Sequence, residues 1–191
     1  MTKNLGLKFT IYFSLLFLIL ACEESKNLFQ ENENDWSSYG EANWSFSNNI
    51  LTGKIKKGEG YLITKQHYSN FELKLEFKPD STINSGVFIR CNSENMNPET
   101  CYELNIWDVH PDQTNRTGAV VARANPLANV STINQWNTYR ILTKENQLKV
   151  WINDTLTIDT IDSFSATGYI GLQAKGHGEV SFRNINITTL N

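Results

Sequence analysis

The chain has 191 residues, of which 40% are hydrophobic and 19% are charged. This length and composition are typical of one globular domain, and they exclude a collagenous or largely disordered chain. The formal net charge is −3, from 17 basic and 20 acidic residues. Because no basic excess is available to neutralise phosphates, nucleic-acid binding is not expected.

The first residues have the pattern of an export signal. Lys3 and Lys8 precede an apolar run from Phe9 to Ala21. This run is about 13 residues long, whereas a membrane-spanning helix needs about 20. It ends in Ile19-Leu20-Ala21-Cys22, which resembles the lipobox at which bacterial lipoproteins are cleaved and lipidated. We therefore predict a lipoprotein signal peptide over residues 1–21, the alternative being an ordinary cleaved signal beside an incidental cysteine.

Lipidation of Cys22 would anchor the exported protein to a bacterial membrane, in the periplasm or at the cell surface. The next residues, 22–35, are polar and acid-rich, as is typical of a flexible tether. We assign residues 36–191 to one folded domain.

The two other cysteines flank a short polar loop. Cys91 and Cys101 stand on either side of the segment NSENMNPET, between two strand-like runs. An oxidising compartment would favour a disulfide that closes this loop, and two neighbouring free thiols are the alternative. Metal binding by this pair is not expected, since no histidine or further cysteine stands at a suitable spacing.

The rest of the chain alternates with a period of two, which is typical of half-buried strands. In one run Phe71, Leu73, Leu75 and Phe77 alternate with charged residues. Turn signals separate the runs, and Asn153-Asp154 predicts a tight hairpin turn. From Trp44 onward we count about ten or eleven short strands and no helical stripe of useful length, which predicts an antiparallel β-sandwich.

Several strands carry aromatic, acidic and basic residues on the side that faces away from the core. These residues are Glu76, Arg90, Glu103, Asn105, Trp107, Tyr169 and Gln173. If their strands are neighbours, one sheet presents rings for stacking and polar groups for hydroxyls, a surface suited to sugars. The alternative is a solvated sheet face with scattered aromatic residues.

A series of short motifs in a fixed order resembles a known family. The motifs are NFELKLEFK, INSGVFIRC, CYELNIWDVHPD, TGAVV, QWNTYRI, LKVWIND, GYIGLQAKG and VSFRNINI. Together they resemble the 3-keto-disaccharide hydrolase domain over roughly Trp36 to Thr188. The resemblance implies an all-β jelly roll of the concanavalin A-like lectin and glucanase type. It also implies cleavage of glycosides whose sugar is oxidised at C3, by net hydrolysis or by elimination followed by hydration.

A ketone at C3 acidifies the hydrogen on C2, so this chemistry needs a base, a clamp for the enolate oxygen and a proton source. Among positions that match the motifs, Glu103 and Glu76 are candidates for base and acid, and Arg90 for the clamp. The alternative is a static ion pair between Arg90 and either carboxylate. Asn105 and Gln173 would hold hydroxyls, and Trp107 would stack on a sugar ring.

Three further candidates for substrate binding lie near these motifs: Asp108, His110 and Lys175. His110 could act as a base or bind a metal with Asp108, although a lone loop histidine is more often simply solvated. Many relatives carry a histidine soon after the position of Gln173, where this chain has Lys175 first and His177 two residues later. Lys175 could therefore replace that histidine as the oxygen clamp. No metal and no cofactor are expected.

Two functions remain open at this point. The first is an exported lipoprotein enzyme, a hydrolase or lyase, that acts on 3-keto-glycosides. The second is a non-catalytic carbohydrate-binding lipoprotein, because a lectin-like fold does not fix function. An adhesion module would need a large exposed apolar patch, which the sequence does not show.

Overall fold

A computed structural model describes residues 25–28 and 35–191. The predicted signal peptide, residues 1–21, and the predicted lipidation site Cys22 lie outside the described residues. Within those ranges, no helix is long and apolar enough to cross a bilayer.

The described chain is built from short strands and one 3-10 turn, Gln113–Asn115. The strands are β1 (Ser25–Asn27), β2 (Trp36–Gly40), β3 (Asn43–Ser47), β4 (Ile50–Ile55), β5 (Glu59–Thr64), β6 (Phe71–Pro79), β7 (Asn84–Cys91), β8 (Tyr102–Ile106), β9 (Asn137–Lys144), β10 (Gln147–Ile152), β11 (Thr155–Ile161), β12 (Tyr169–Lys175) and β13 (Gly178–Thr189).

These strands form two antiparallel sheets. The eight-stranded sheet has the order β11-β10-β9-β6-β13-β4-β3, with β1 also paired to β13, and the five-stranded sheet has the order β2-β5-β12-β7-β8. The predicted antiparallel β-sandwich of jelly-roll type is therefore confirmed.

The core lies between the two sheets and follows from the alternation in the sequence. Phe71, Leu73, Leu75 and Phe77 are all buried on the inner face of β6. Because successive side chains point to opposite faces of a strand, the charged residues between them lie on the outer face. Burial of about thirty apolar side chains from both sheets provides the main stabilisation of this sandwich.

The predicted turns are confirmed as well. Asn153 and Asp154 connect β10 to β11 with φ angles of 48° and 63°. Two successive positive φ angles are the geometry that a two-residue hairpin needs, and Asn and Asp tolerate it. The turn between β9 and β10 likewise has Glu145 at a φ of 54°.

Part of the predicted tether lies against the domain. Ser25–Asn27 form β1 beside β13, and the next residue, Leu28, is buried. The Leu28 N–H donates to the Ile185 carbonyl at 2.8 Å, and the Trp36 indole donates to the Leu28 carbonyl at 2.6 Å. This stretch is therefore held on the eight-stranded sheet.

Cys91, the last residue of β7, and Cys101, just before β8, form a disulfide with Cα atoms 4.2 Å apart. The predicted bridge is thus present, and it closes the loop of residues 92–100, here called the strap.

Candidate functional site

The candidate site lies on the outer face of the five-stranded sheet, here called the site face. Strand register aligns Tyr61, Gln173, Gly86 and Asn105 in one row across β5, β12, β7 and β8. Directly opposed residues in an antiparallel sheet project from the same face. The adjacent row consists of Leu62, Leu172, Val87 and Leu104 and belongs to the core between the two sheets. Side chains of the first row therefore point outward.

Glu103 is a buried carboxyl on the site face, opposite Phe88. The residue is 8% exposed, and its side-chain carboxyl makes no hydrogen bond or ion pair with the described residues. Burial raises the pKa of Glu103 to about 7; the Lys175 charge opposes this shift and the Glu59 charge adds to it. A carboxyl with this pKa can accept and return a proton near neutral pH.

A polar network lies beside Glu103. Lys175 Nζ is 3.0 Å from Glu59 Oε2, and the Tyr61 hydroxyl donates to the same oxygen at 2.9 Å. Gln173 Nε2 donates in turn to the Tyr61 hydroxyl at 3.2 Å. Burial raises the pKa of Tyr61, so this hydroxyl stays protonated.

The sequence analysis missed Glu59 and Tyr61. Glu59 follows a run of lysines and glycines that has the composition of a polar turn. The two-residue alternation of a strand could have identified it, because Glu59, Tyr61 and Ile63 lie on the same side of β5. The second carboxylate of this face is therefore Glu59.

Three buried amide oxygens in this part of the sheet accept no hydrogen bond within the described chain: Asn84 Oδ1, Asn105 Oδ1 and Gln173 Oε1. The Asn105 amide nitrogen is engaged, since it donates to the Asn115 carbonyl. Leaving a buried acceptor unpaired costs about 1–3 kcal/mol, so each of these oxygens is able to accept a further hydrogen bond. Sugar hydroxyls are donors of the required kind.

Trp107 follows β8 on the parity of Glu103 and Asn105, which places it at the edge of the site face. Its ring meets the His110 ring edge to face, with centroids 4.6 Å apart. Asp108 accepts hydrogen bonds from the Thr132 backbone N–H and hydroxyl at 2.7 and 2.8 Å. His110 Nδ1 accepts from the Asp112 N–H at 3.0 Å. Asp108 and His110 thus hold the loop after β8 together.

The predicted grouping of Glu76 with Glu103 is wrong, because Glu76 lies on the outer face of the other sheet. Its carboxylate accepts from Arg183 at 2.8 and 2.6 Å and from Asn184 at 2.6 Å. Partial burial alone would raise the pKa of Glu76, but these hydrogen bonds outweigh it and lower the pKa. Both layers of the sandwich separate the two carboxylates.

The predicted role of Arg90 as an oxygen clamp is wrong as well. Arg90 is 2% exposed and has a φ of 50°. Its guanidinium donates to the carbonyls of Ser69 at 2.9 and 2.7 Å, of Glu145 at 2.7 Å and of Ser165 at 3.2 Å. It also donates to the Asn70 side-chain oxygen Oδ1 at 3.3 Å. These acceptors lie in three loops, and Arg90 forms no ion pair with Glu76 or Glu103. A bulge at this point of β7 takes Arg90 out of the alternation.

Nothing in the described chain gathers three or more histidine, cysteine, aspartate or glutamate side chains that could hold a metal ion. The site face offers the buried Glu103 carboxyl, the Lys175–Glu59 pair, the Tyr61 hydroxyl and several amides. These groups are suited to moving a proton and to binding hydroxyls.

A known family and several solved structures resemble the chain over most of its length. The family model of the 3-keto-alpha-glucoside-1,2-lyase-like domain matches residues 24–188. No curated protein matches the chain significantly. A candidate glycosyl hydrolase from Parabacteroides distasonis is 26% identical with a TM-score of 0.76, over 87% of this chain and 100% of that one.

Two further solved structures share the fold. A second candidate glycosyl hydrolase from Parabacteroides distasonis is 20% identical with a TM-score of 0.71, over 86% of this chain and 99% of that one. The carbohydrate-binding module CBM66 from Bacillus subtilis is 16% identical with a TM-score of 0.65, over 81% and 96%. Because the family model covers most of the sequence, the chain belongs to the 3-keto-alpha-glucoside-1,2-lyase-like domain family.

Proposed function

We propose that this protein is an enzyme that cleaves the glycosidic bond of 3-keto-glycosides, with Glu103 as the base. The observation that carries the proposal is a buried carboxyl with a pKa of about 7 beside unpaired amide oxygens on one sheet face. Membership of the family and the likeness to a candidate glycosyl hydrolase support a glycosidase-like activity.

In the proposed reaction, the Glu103 carboxylate removes the hydrogen on C2 as a proton, and the electron pair forms an enolate with the oxygen on C3. The electrons then return to restore the C3 carbonyl while a double bond forms between C1 and C2. The bond from C1 to the leaving oxygen breaks, and that oxygen takes a proton. Addition of water across C1 and C2 completes the net hydrolysis.

Residues around Glu103 supply the clamp for the enolate oxygen, the proton for the leaving group and the contacts that bind the sugar. In this proposal the Lys175 side chain, which is 47% exposed and pairs with Glu59, stabilises the negative oxygen on C3. Protonated Glu103 or the Tyr61 hydroxyl can give the leaving oxygen its proton. Amide oxygens of Asn105 and Gln173 accept hydroxyl hydrogens, and the Trp107 ring offers a surface for the sugar.

Incubation with a panel of 3-keto-glucosides in heavy-oxygen water and in deuterium oxide tests this function. We expect cleavage with heavy oxygen on C1, and deuterium on C2 if the enolate forms. Absence of cleavage across the panel, while a related active protein works in the same assay, would contradict it. Heavy oxygen on C1 without deuterium on C2 would favour direct hydrolysis.

The activity should depend on pH through Glu103. Its carboxyl must be ionised to act as a base, and its pKa is raised to about 7. We therefore expect kcat/KM to rise about tenfold per pH unit below 7 and to level off above it. A profile already flat from pH 5 to 8 would mean that another group is the base.

A second function, carbohydrate binding without turnover, is favoured by the likeness to CBM66, a carbohydrate-binding module. If this second function is correct, the protein binds unoxidised glycans, and Glu103→Gln binds them with unchanged affinity. The enzyme hypothesis expects the opposite pattern, namely turnover that depends on Glu103.

The proposal includes export and a lipid anchor on Cys22. The Cys91–Cys101 disulfide supports export, because such bonds persist mainly in oxidising compartments. Fatty-acid labelling that is lost in Cys22→Ala would support the anchor, and labelling that persists would contradict it.

A further inference from the structure

The strap folds over the site face from the ends of β7 and β8 as far as β12, and one side-chain hydrogen bond links it to β2. Its ends are held by the disulfide at β7 and β8. In its middle, Met96 Sδ fills the space above Gly171 of β12, where an added Cβ would be only 2.2 Å away. Farther along, Glu94 Oε2 accepts from the Tyr39 hydroxyl of β2 at 2.8 Å. The contacts of the strap therefore reach from β7 and β8 to β2, the opposite edge of the sheet.

Packing of Met96 holds the strap in place. Met96 is 3% exposed and belongs to a small apolar cluster on the site face with Tyr61, Ile63, Phe88 and the two disulfide cysteines. Ile63, Gly171, Phe88 and Glu103 form one row across the sheet, so Met96 covers the row in which Glu103 lies. The strap is therefore a wall beside the candidate base.

A further segment lies along the β8 edge of the sheet. The Asn105 N–H donates to the Ala119 carbonyl at 3.0 Å, and the Gly118 N–H donates to the Asn105 carbonyl at 3.1 Å. The Val121 N–H donates to the Glu103 carbonyl at 3.0 Å. Residues 118–121 thus extend the sheet beyond β8. The exposed Lys175 and Glu59 side chains lie at the end of β12 and β5 that is away from the strap.

We propose that the strap makes the site blind-ended, so that it admits one terminal sugar unit and excludes internal units of a glycan. Met96 and the Tyr39–Glu94 hydrogen bond are the specificity-determining contacts, and the leaving group extends away from the strap. An internal unit is linked at both ends, and its second substituent would occupy the volume of the strap. This inference rests on the proposed function insofar as both use the same site.

The test uses two substrates. In the first, the 3-keto-glucose unit is the terminal sugar at the non-reducing end, and in the second, the capped substrate, the same unit carries a further sugar on O4. For the wild type we expect kcat/KM to be at least about 100-fold lower for the capped substrate, since its extra sugar clashes with the wall. In Met96→Ala and in Tyr39→Phe, the ratio of kcat/KM for the terminal substrate to kcat/KM for the capped substrate should fall about tenfold or more. Glu99→Ala, an exposed change on the same strap, is the matched control and should leave the ratio unchanged.

Several outcomes would overturn the inference. Equal rates for terminal and capped substrates in the wild type would do so, as would an unchanged ratio in a folded Met96→Ala. If Met96→Ala does not fold, Tyr39→Phe decides the question, because it removes only one surface hydrogen bond.

A binding measurement separates this inference from the proposed reaction. Calorimetry with unoxidised gluco-oligosaccharides, with free or capped termini, reports on the wall without any chemistry. If only oligosaccharides with free termini bind and no 3-keto-glucoside is cleaved, the result supports the exclusion of internal units by the strap and contradicts the proposed reaction. Cleavage of terminal and capped units alike would support the reaction and contradict the wall.

Discussion

Glu103→Gln is expected to lower kcat/KM for a 3-keto-glucoside by about 100- to 10,000-fold, the range over which a positioned base contributes to catalysis. Glutamine keeps the shape of the side chain but cannot accept a proton. Steady-state kinetics at pH 7.5 measure the effect. The rise of kcat/KM with pH below 7 should disappear in the same variant.

Glu76→Gln is the matched control. Glu76 carries the same side chain but lies on the opposite face of the sandwich, bonded to Arg183 and Asn184. We expect its kcat/KM to stay within about twofold of the wild type. A comparable loss in both variants, or full activity in Glu103→Gln, would contradict the placement of the base.

The folding stability of Glu103→Gln distinguishes lost chemistry from lost structure. The pKa of Glu103 is about 7 in the folded protein and about 4.3 in an unfolded chain, so the native state binds more protons between these values. The unfolding free energy of the wild type therefore falls as pH rises from about 4 to 7, by about 4 kcal/mol from this group. Glu103→Gln lacks that fall and should be at least as stable as the wild type at pH 8.

Arg90→Ala is expected to reduce the unfolding free energy by about 3 kcal/mol or more. The change leaves the carbonyls of Ser69, Glu145 and Ser165 without their buried donor, and each unpaired buried group costs about 1–3 kcal/mol. Domains of this kind are stable by only about 5–15 kcal/mol, so the loss should be evident in urea denaturation.

Arg140→Ala provides the comparison for Arg90. The Arg140 side chain is 44% exposed and pairs with Glu72 on the outer face of the eight-stranded sheet. Exposed ion pairs contribute about 0–1 kcal/mol, so this variant should change stability little. Arg90→Lys keeps the charge but not the planar set of five donors, and we expect it to resemble Arg90→Ala. Equal stabilities for Arg90→Ala and Arg140→Ala would show that Arg90 does not hold the loops.

Local pattern in the sequence was sufficient for the architecture. The alternation of Phe71 to Phe77 determined which side chains enter the core, because a strand has only two faces. Asn153-Asp154 determined a hairpin turn, because few other residues tolerate two positive φ angles in succession. The same parity correctly placed Glu103, Asn105 and Gln173 on one face, since β12, β7 and β8 are neighbours.

Only the tertiary structure decided which carboxylates face each other. Parity tells on which side of its own sheet a residue lies, but not which sheet its strand joins. Glu76 and Glu103 both point away from the core, yet β6 and β8 belong to different sheets, so Glu59 takes the place expected for Glu76. Arg90 departs from its parity because a bulge, set by pairing with a strand about 80 residues later, turns it toward three loops. Pairings between distant strands depend on the packing of the whole sandwich, which no local pattern encodes.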